Sequence, residues 1–233
     1  MFDINKLESL EEMNSIVFCK YKDRLSTLKE PISDVDAVCV LIRAGDIDYA
    51  MKIIKESGIS IAKKLNTQGN AIADVAAWNG KVSMLEKLLD LGVDINTPGV
   101  NVMGARHIDV LRMLDSTGNL SPNVQGEHGT TPLQQACNVD TPFGFVHPEE
   151  ELPRLECIKF LLDKGADIDA TNDFGRTAIM GAAYISADRI VRLLIERGAD
   201  TSQGKRCSQG KSVIEWAGSE DTVSIINAGI LKN

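Results

Sequence analysis

The chain has 233 residues, 43% of them apolar and 25% charged, with 33 Asp and Glu against 25 Lys and Arg for a formal net charge of −8. That length and apolar share support a folded core and argue against wholesale disorder. The acidic balance repels phosphate backbones and anionic lipid, so nucleic acid and membrane surfaces are poor expected partners, whereas a basic protein surface would be steered in.

The five cysteines are Cys19, Cys39, Cys137, Cys157 and Cys207. Their number is odd, their spacing wide, and no CxxC pair occurs, which argues against a disulfide framework and for a reducing compartment. No cationic start with a subsequent apolar run marks a signal peptide, and no apolar stretch approaches the roughly 18 residues of a membrane span. A cytoplasmic, soluble chain is expected.

In chain order, residues 1–32 come first. Leu7, Leu10, Met13, Val17, Tyr21, Leu25 and Leu28 recur at three- and four-residue steps, which predicts one amphipathic helix ended by Pro31. It reads either as a cap covering the first repeat or as a docking or dimerising helix. From residue 33 onward the chain repeats itself. A unit over 33–65 carries Gly45 and the run Ala50-Met51-Lys52-Ile53-Ile54; one over 66–98 pairs Ala76-Ala77 with Met84-Leu85 and Leu88-Leu89 before Gly92. The unit over 99–123 is clipped: it keeps a second helix around Val110-Leu111 but shortens the first, and Gly92 to Gly118 is only 26 residues. The unit over 124–170 pairs Thr131-Pro132-Leu133 and Ala136-Cys137 with Phe160-Leu161-Leu162 and Gly165. It carries an insert over 138–153, rich in Pro and acid, expected to be an irregular loop. Units over 171–203 and 204–233 complete the chain, the last being partial.

Each unit has one physical grammar. A Gly-containing turn opens it. A Thr-Pro-Leu-like segment caps a short helix, with Thr accepting from an orphan amide and Pro suited to the first helical position. Paired small residues let a second helix approach. That helix carries an apolar stripe at helical spacing, and a glycine ends it where φ > 0 is needed. Gly165 to Gly198 is 33 residues.

These residues resemble the ankyrin repeat, with its period of ~33 residues and its T-P-L-H-x-A signature. The resemblance implies an all-α ankyrin-repeat solenoid of stacked helix-turn-helix units with an N-terminal helical cap. It also implies a non-catalytic module that binds another protein, as a scaffold, regulator or inhibitor. Partner contacts are expected at the turn tips and just after the small pair. By register these are Thr67, Gln68 and Asn70; Glu127, His128 and Thr130; Asp173, Phe174 and Arg176; Ser208, Gln209 and Lys211; and then Trp78 with Asn79, Asn138 with Val139, and Tyr184 with Ile185. Trp78, Phe174 and Tyr184 are large aromatics where the fold requires none. Trp216 is expected in the core. The insert adds Phe143 and Phe145 beside Glu149, Glu150 and Glu151, with Arg154 as its one cation. That acidic loop would suit a basic partner.

Little points to chemistry. His107, His128 and His147 each lie in a different unit, without a second ligand at metal spacing. Ser-Gln-Gly-Lys occurs twice, at 202–205 and 208–211, but five residues separate Gly204 from Gly210 where a phosphate loop has four. The cysteines sit in helix patterns as small apolar residues. No cofactor and no metal are expected. Rival readings are self-assembly through the N-terminal helix, against an expected monomer, and an enzyme whose site lies in the insert with His147.

Overall fold

The structure, a computed structural model, describes residues 33–66, 69–94, 107–137, 148–202 and 207–230. The N-terminal helix expected over 1–32, together with Thr67, Gln68, Asn138, Val139, Phe143, Phe145 and His147, lies outside them. The chain divides into two compact units, Met1–Val102 and Met103–Asn233.

In the N-terminal unit, α1 (Asp34–Ala44) and α2 (Ile47–Ser57) form one antiparallel pair, and α3 (Ile72–Trp78) and α4 (Val82–Asp90) the next. Ser33 caps α1: its Oγ accepts from the Asp36 amide at 3.1 Å. Gly45, at φ 83°, ends it with a left-handed residue whose N–H donates to the Ile42 carbonyl. Helix α1 packs on both α2 and α3, so first helices stack on first helices. The apolar stripe of α4 (Met84, Leu85 and Leu88) is fully buried.

The C-terminal unit contains α5 (Ile108–Ser116), α6 (Pro132–Cys137), α7 (Pro148–Asp163), α8 (Ala178–Tyr184), α9 (Asp188–Glu196), α10 (Val213–Trp216) and α11 (Glu220–Ile230). These sort into two layers. Helices α6, α8 and α10 succeed one another in one layer; α5, α7, α9 and α11 succeed one another in the other. Between them lies a core of Leu133, Cys137, Ile158, Leu161, Ile179, Ile190, Leu194 and Ile226.

The capping residues also lock neighbouring units together. The Gln134 amide N–H donates to Thr131 Oγ1 at 3.3 Å, and Gln134 Oε1 accepts from the Thr131 amide at 3.0 Å, a reciprocal cap around Pro132. Gln134 Nε2 then donates to the carbonyls of Ala170, the last residue of its own unit, and Arg176, in the next, each at 2.8 Å. Buried Gln134 therefore satisfies its polar atoms by tying two units together.

Successive turns are joined by backbone as well. The Asp173 amide donates to the His128 carbonyl at 3.0 Å, and the Ser208 amide to the Phe174 carbonyl at 2.9 Å. The approach is close enough to require glycine. Gly175 lies at φ +67°, and a Cβ there would stand 3.2 Å from the Ser208 nitrogen and 3.3 Å from Cys207 Cα.

Within the insert, residues 148–153 differ from the irregular loop expected over 138–153. Residues 148–153 are the first turns of α7, which runs unbroken to Asp163. Pro148 sits at the helix start and three glutamates come next in the first turn, where the helix dipole favours anions. Pro and Glu here mark a helix N-terminus rather than a loop. Pro153 is tolerated inside the helix although it lacks an N–H to donate. Arg154 is 1% exposed, buried in the unit.

Candidate protein-binding surface

The turn tips and first-helix ends of the C-terminal unit bring together residues from three successive repeats. His128 stands at φ 56°, a left-handed conformation uncommon outside glycine, immediately before Gly129 at φ 68°. Its ring lies 5.4 Å from the Phe174 ring of the next turn. Phe174 is 43% exposed. Two residues on, the Arg176 guanidinium carbon lies 5.6 Å from the Phe174 centroid and 4.5 Å from that of Trp216. Lys211 Nζ lies 5.2 Å from the same Trp216 ring. Tyr184, at the end of α8 and 61% exposed, meets Trp216 edge-on at 5.5 Å and 79°. Aromatic pairs in this geometry contribute ~0.5–1.5 kcal/mol each, and a cation on an indole face ~0.5–2 kcal/mol.

Trp216 is thus the centre of the cluster; it packs against the core, as expected, but only partly, and also forms part of the surface. It is half-buried at the end of α10. Helix α10 has four residues, and Ala217 at ψ 129° leaves the helix immediately after Trp216. The repeat register carries the signal: counted from Thr131, Thr177 and Ser212, Trp216 aligns with Gln135 and Gly181, the variable position of the signature. The same register aligns His128 with Phe174, and Arg176 with Lys211.

Cys207 lies beneath the indole. Trp216 Nε1–H donates to Cys207 Sγ at 3.3 Å. Burial pushes the thiol up, but the indole N–H, the Lys211 and Gln209 amides and the Arg176 guanidinium outweigh it, and the net shift is downward. Cys39 and Cys137, buried without such donors in strength, are pushed up to about 12, and Cys157 to about 11, by burial above all.

The remaining expected contacts fall elsewhere. Asp173 is exposed on the His128–Phe174 turn, and a Gly129 Cβ would meet its carboxylate. Glu127 opens that turn, and Glu149 and Glu150 lie in the first turn of α7; their side chains are outside the described residues. Trp78, 43% exposed, and Asn79, whose Nδ2 donates to the Val75 carbonyl at 2.7 Å, end α3 in the N-terminal unit. In that unit Asn70 closes the turn opened by Asn66, its amide donating to Asn66 Oδ1 at 2.9 Å. Among the described residues no group of three His, Cys, Asp or Glu side chains is placed to hold a metal ion, and no helix is long and apolar enough to cross a membrane.

Comparison with known proteins agrees with this architecture. An ankyrin-repeat model matches residues 128–173 and a three-copy ankyrin-repeats model matches residues 151–230. The chain is 27% identical over 207 residues to bovine protein fem-1 homolog A, which covers 84% of the chain and 28% of that protein. It is 23% identical over 163 residues to human transient receptor potential cation channel subfamily A member 1, covering 67% of the chain and 13% of the channel. The chain therefore spans well under a third of either relative. The crystal structure of EF0377, an ankyrin repeat protein, superposes with a TM-score of 0.59 at 23% identity, covering 85% of this chain and 98% of that one.

Residues 128–230 are ankyrin repeats, and the chain has the all-α ankyrin-repeat fold. Ankyrin repeats are a protein–protein interaction module, and that is the class of function the chain carries.

Proposed function

We propose that this protein binds another protein through the turn tips and first-helix ends of its C-terminal unit, with Trp216, Phe174, Arg176 and Tyr184 as the principal contacts, and that it acts by this binding rather than by catalysis. One observation carries the reading: three successive repeats contribute to one exposed cluster in which two aromatics stand largely in solvent. Tyr, Trp and Arg are the residues that dominate binding energy at protein interfaces. Core packing does not require Phe174 or Tyr184, so packing does not account for their presence at the surface. Rigid repeat turns hold the cluster, which lowers the ordering cost of association. A regulatory or inhibitory role in the cytoplasm is the working description. Trp78 with Asn79, and the acidic stretch around Glu149 and Glu150 with Phe143 and Phe145, are proposed as secondary contacts, the latter for a basic partner.

The test is the double substitution Phe174→Ala, Tyr184→Ala in the full chain. Proteins recovered with the wild-type chain from its own cells should be lost with the variant, while its thermal transition stays within a few degrees. Unchanged recovery would exclude this surface as the binding site.

A further inference from the structure

We infer that the ligand of this surface is an acidic segment of a partner protein, with a carboxylate seated against Arg176 and Lys211 and a neighbouring apolar side chain packed on Phe174 and Tyr184. The inference rests on the protein-binding reading and names the chemistry of its ligand.

Charge carries it. Arg176 and Lys211 hold the same register position in consecutive repeats, and their cationic groups lie 4.5 and 5.2 Å from the centre of one indole. Two like charges converging on one ring repel each other, and an anion between them would convert that repulsion into attraction. Among the described residues, no carboxylate forms an ion pair with either. Three cations on the second-helix layer of the same unit are paired: Arg112 with Glu156 at 2.8 Å, Lys164 with Asp115 at 2.6 Å and Arg197 with Asp163 at 2.9 Å. Of the acids near in sequence, Asp173 is exposed on the Phe174 turn, and Glu215 is drawn to its own helix start, where Oε2 accepts from the Ser212 amide and hydroxyl, each at 2.8 Å.

The geometry narrows the anion. Arg176 lies between two ring faces, and its Nε is buried without a hydrogen-bond partner among the described residues. The N–H groups of a guanidinium match the paired oxygens of a carboxylate. Beside it Phe174 and Tyr184 offer apolar surface that an isolated anion would not cover. A nucleic acid would bring many phosphates to a strongly acidic chain. An acidic peptide with an adjacent apolar residue satisfies both the charges and the rings.

A random peptide library displayed on phage, selected against the full chain, tests this. Selected peptides should be enriched in Asp or Glu next to Leu, Ile, Phe or Trp. By fluorescence anisotropy, changing the peptide's acids to their amides should weaken binding by at least about tenfold, as should Arg176→Gln with Lys211→Gln. Circular dichroism confirms that the variants fold. Peptides without acidic enrichment, binding indifferent to the Arg176 and Lys211 changes, a selection that yields no cluster-dependent peptide, or tighter binding of a single-stranded oligothymidylate would each overturn the inference. Sensitivity to Phe174→Ala with Tyr184→Ala but not to the charge changes would leave the docking surface standing and remove only the acidic ligand. Indifference to both pairs would remove both readings.

Discussion

Trp216 makes four contacts of three kinds: it donates to Cys207 Sγ, offers its face to Arg176 and Lys211, and takes Tyr184 at its edge. Each contact is worth about a kilocalorie, so the rigidity of the cluster comes from their convergence on one ring. The indole N–H is also a main reason the Cys207 thiol is lowered while the other described cysteines are raised. With iodoacetamide near neutral pH, read peptide by peptide in a mass spectrometer, Cys207 should be alkylated before Cys39, Cys137 and Cys157. Trp216→Phe, which keeps a ring but removes the donor, should slow it. Equal rates for Cys207 and Cys137 in the native protein would refute this. The turn-tip positions of Phe174, Arg176 and Tyr184 are legible in the sequence, because turn glycines and small pairs set the register. Trp216 is not legible by hydrophobicity, which assigns a tryptophan in a helix pattern to the core; its alignment with Gln135 and Gly181 is the better guide.

At the scale of elements, the turns are where sequence and backbone agree most closely. Gly175 and Gly198 both require a left-handed φ, at +67° and +89°, but a Cβ on Gly198 meets open space whereas one on Gly175 meets the backbone of Cys207 and Ser208. Gly198→Ala should therefore cost only the conformational penalty of about 1–2 kcal/mol. Gly175→Ala should cost more, since rigid neighbours must also move, and it should reduce partner binding by displacing Phe174 and the adjoining turn. Equal losses in urea denaturation would show that the turns do not pack as described. Helix α7 is the element least legible in the sequence. Its start is written in Pro148 and the three glutamates after it, but the unit's Pro content favours a loop, and only the contacts with α5, α6 and α9 define where the helix runs. The capping role of Gln134 is half legible: its place in the signature is clear, whereas its bonds to Ala170 and, in the next unit, Arg176 depend on a stacking distance that no linear pattern states.

For the whole molecule, charge acts in two ways. Three thiols, one in the N-terminal unit and two in the C-terminal, are held neutral by burial to about 12, 12 and 11 from an ordinary 9.0. Their folded values lie above their unfolded one, so the unfolded chain sheds these protons first as pH rises. Their contribution to stability is intact below pH 9 and is lost between 9 and about 12. Urea midpoints should fall across that window, and Cys137→Ala should flatten the fall; an unchanged slope would contradict the burial of that thiol. The second effect is the difference between the second helices, where Arg112, Lys164 and Arg197 are ion-paired, and the turn tips of the C-terminal unit, where Arg176 and Lys211 lie against aromatic rings. It directs binding to one side of that unit. The most direct measurement compares the proteins retained, quantified by mass spectrometry, by the wild-type chain, by Phe174→Ala with Tyr184→Ala, and by Arg197→Ala on the opposite layer. A partner should be lost with the aromatic pair and kept with Arg197→Ala. A partner kept with the aromatic pair replaced, or lost equally with both variants, would contradict binding through the turn tips.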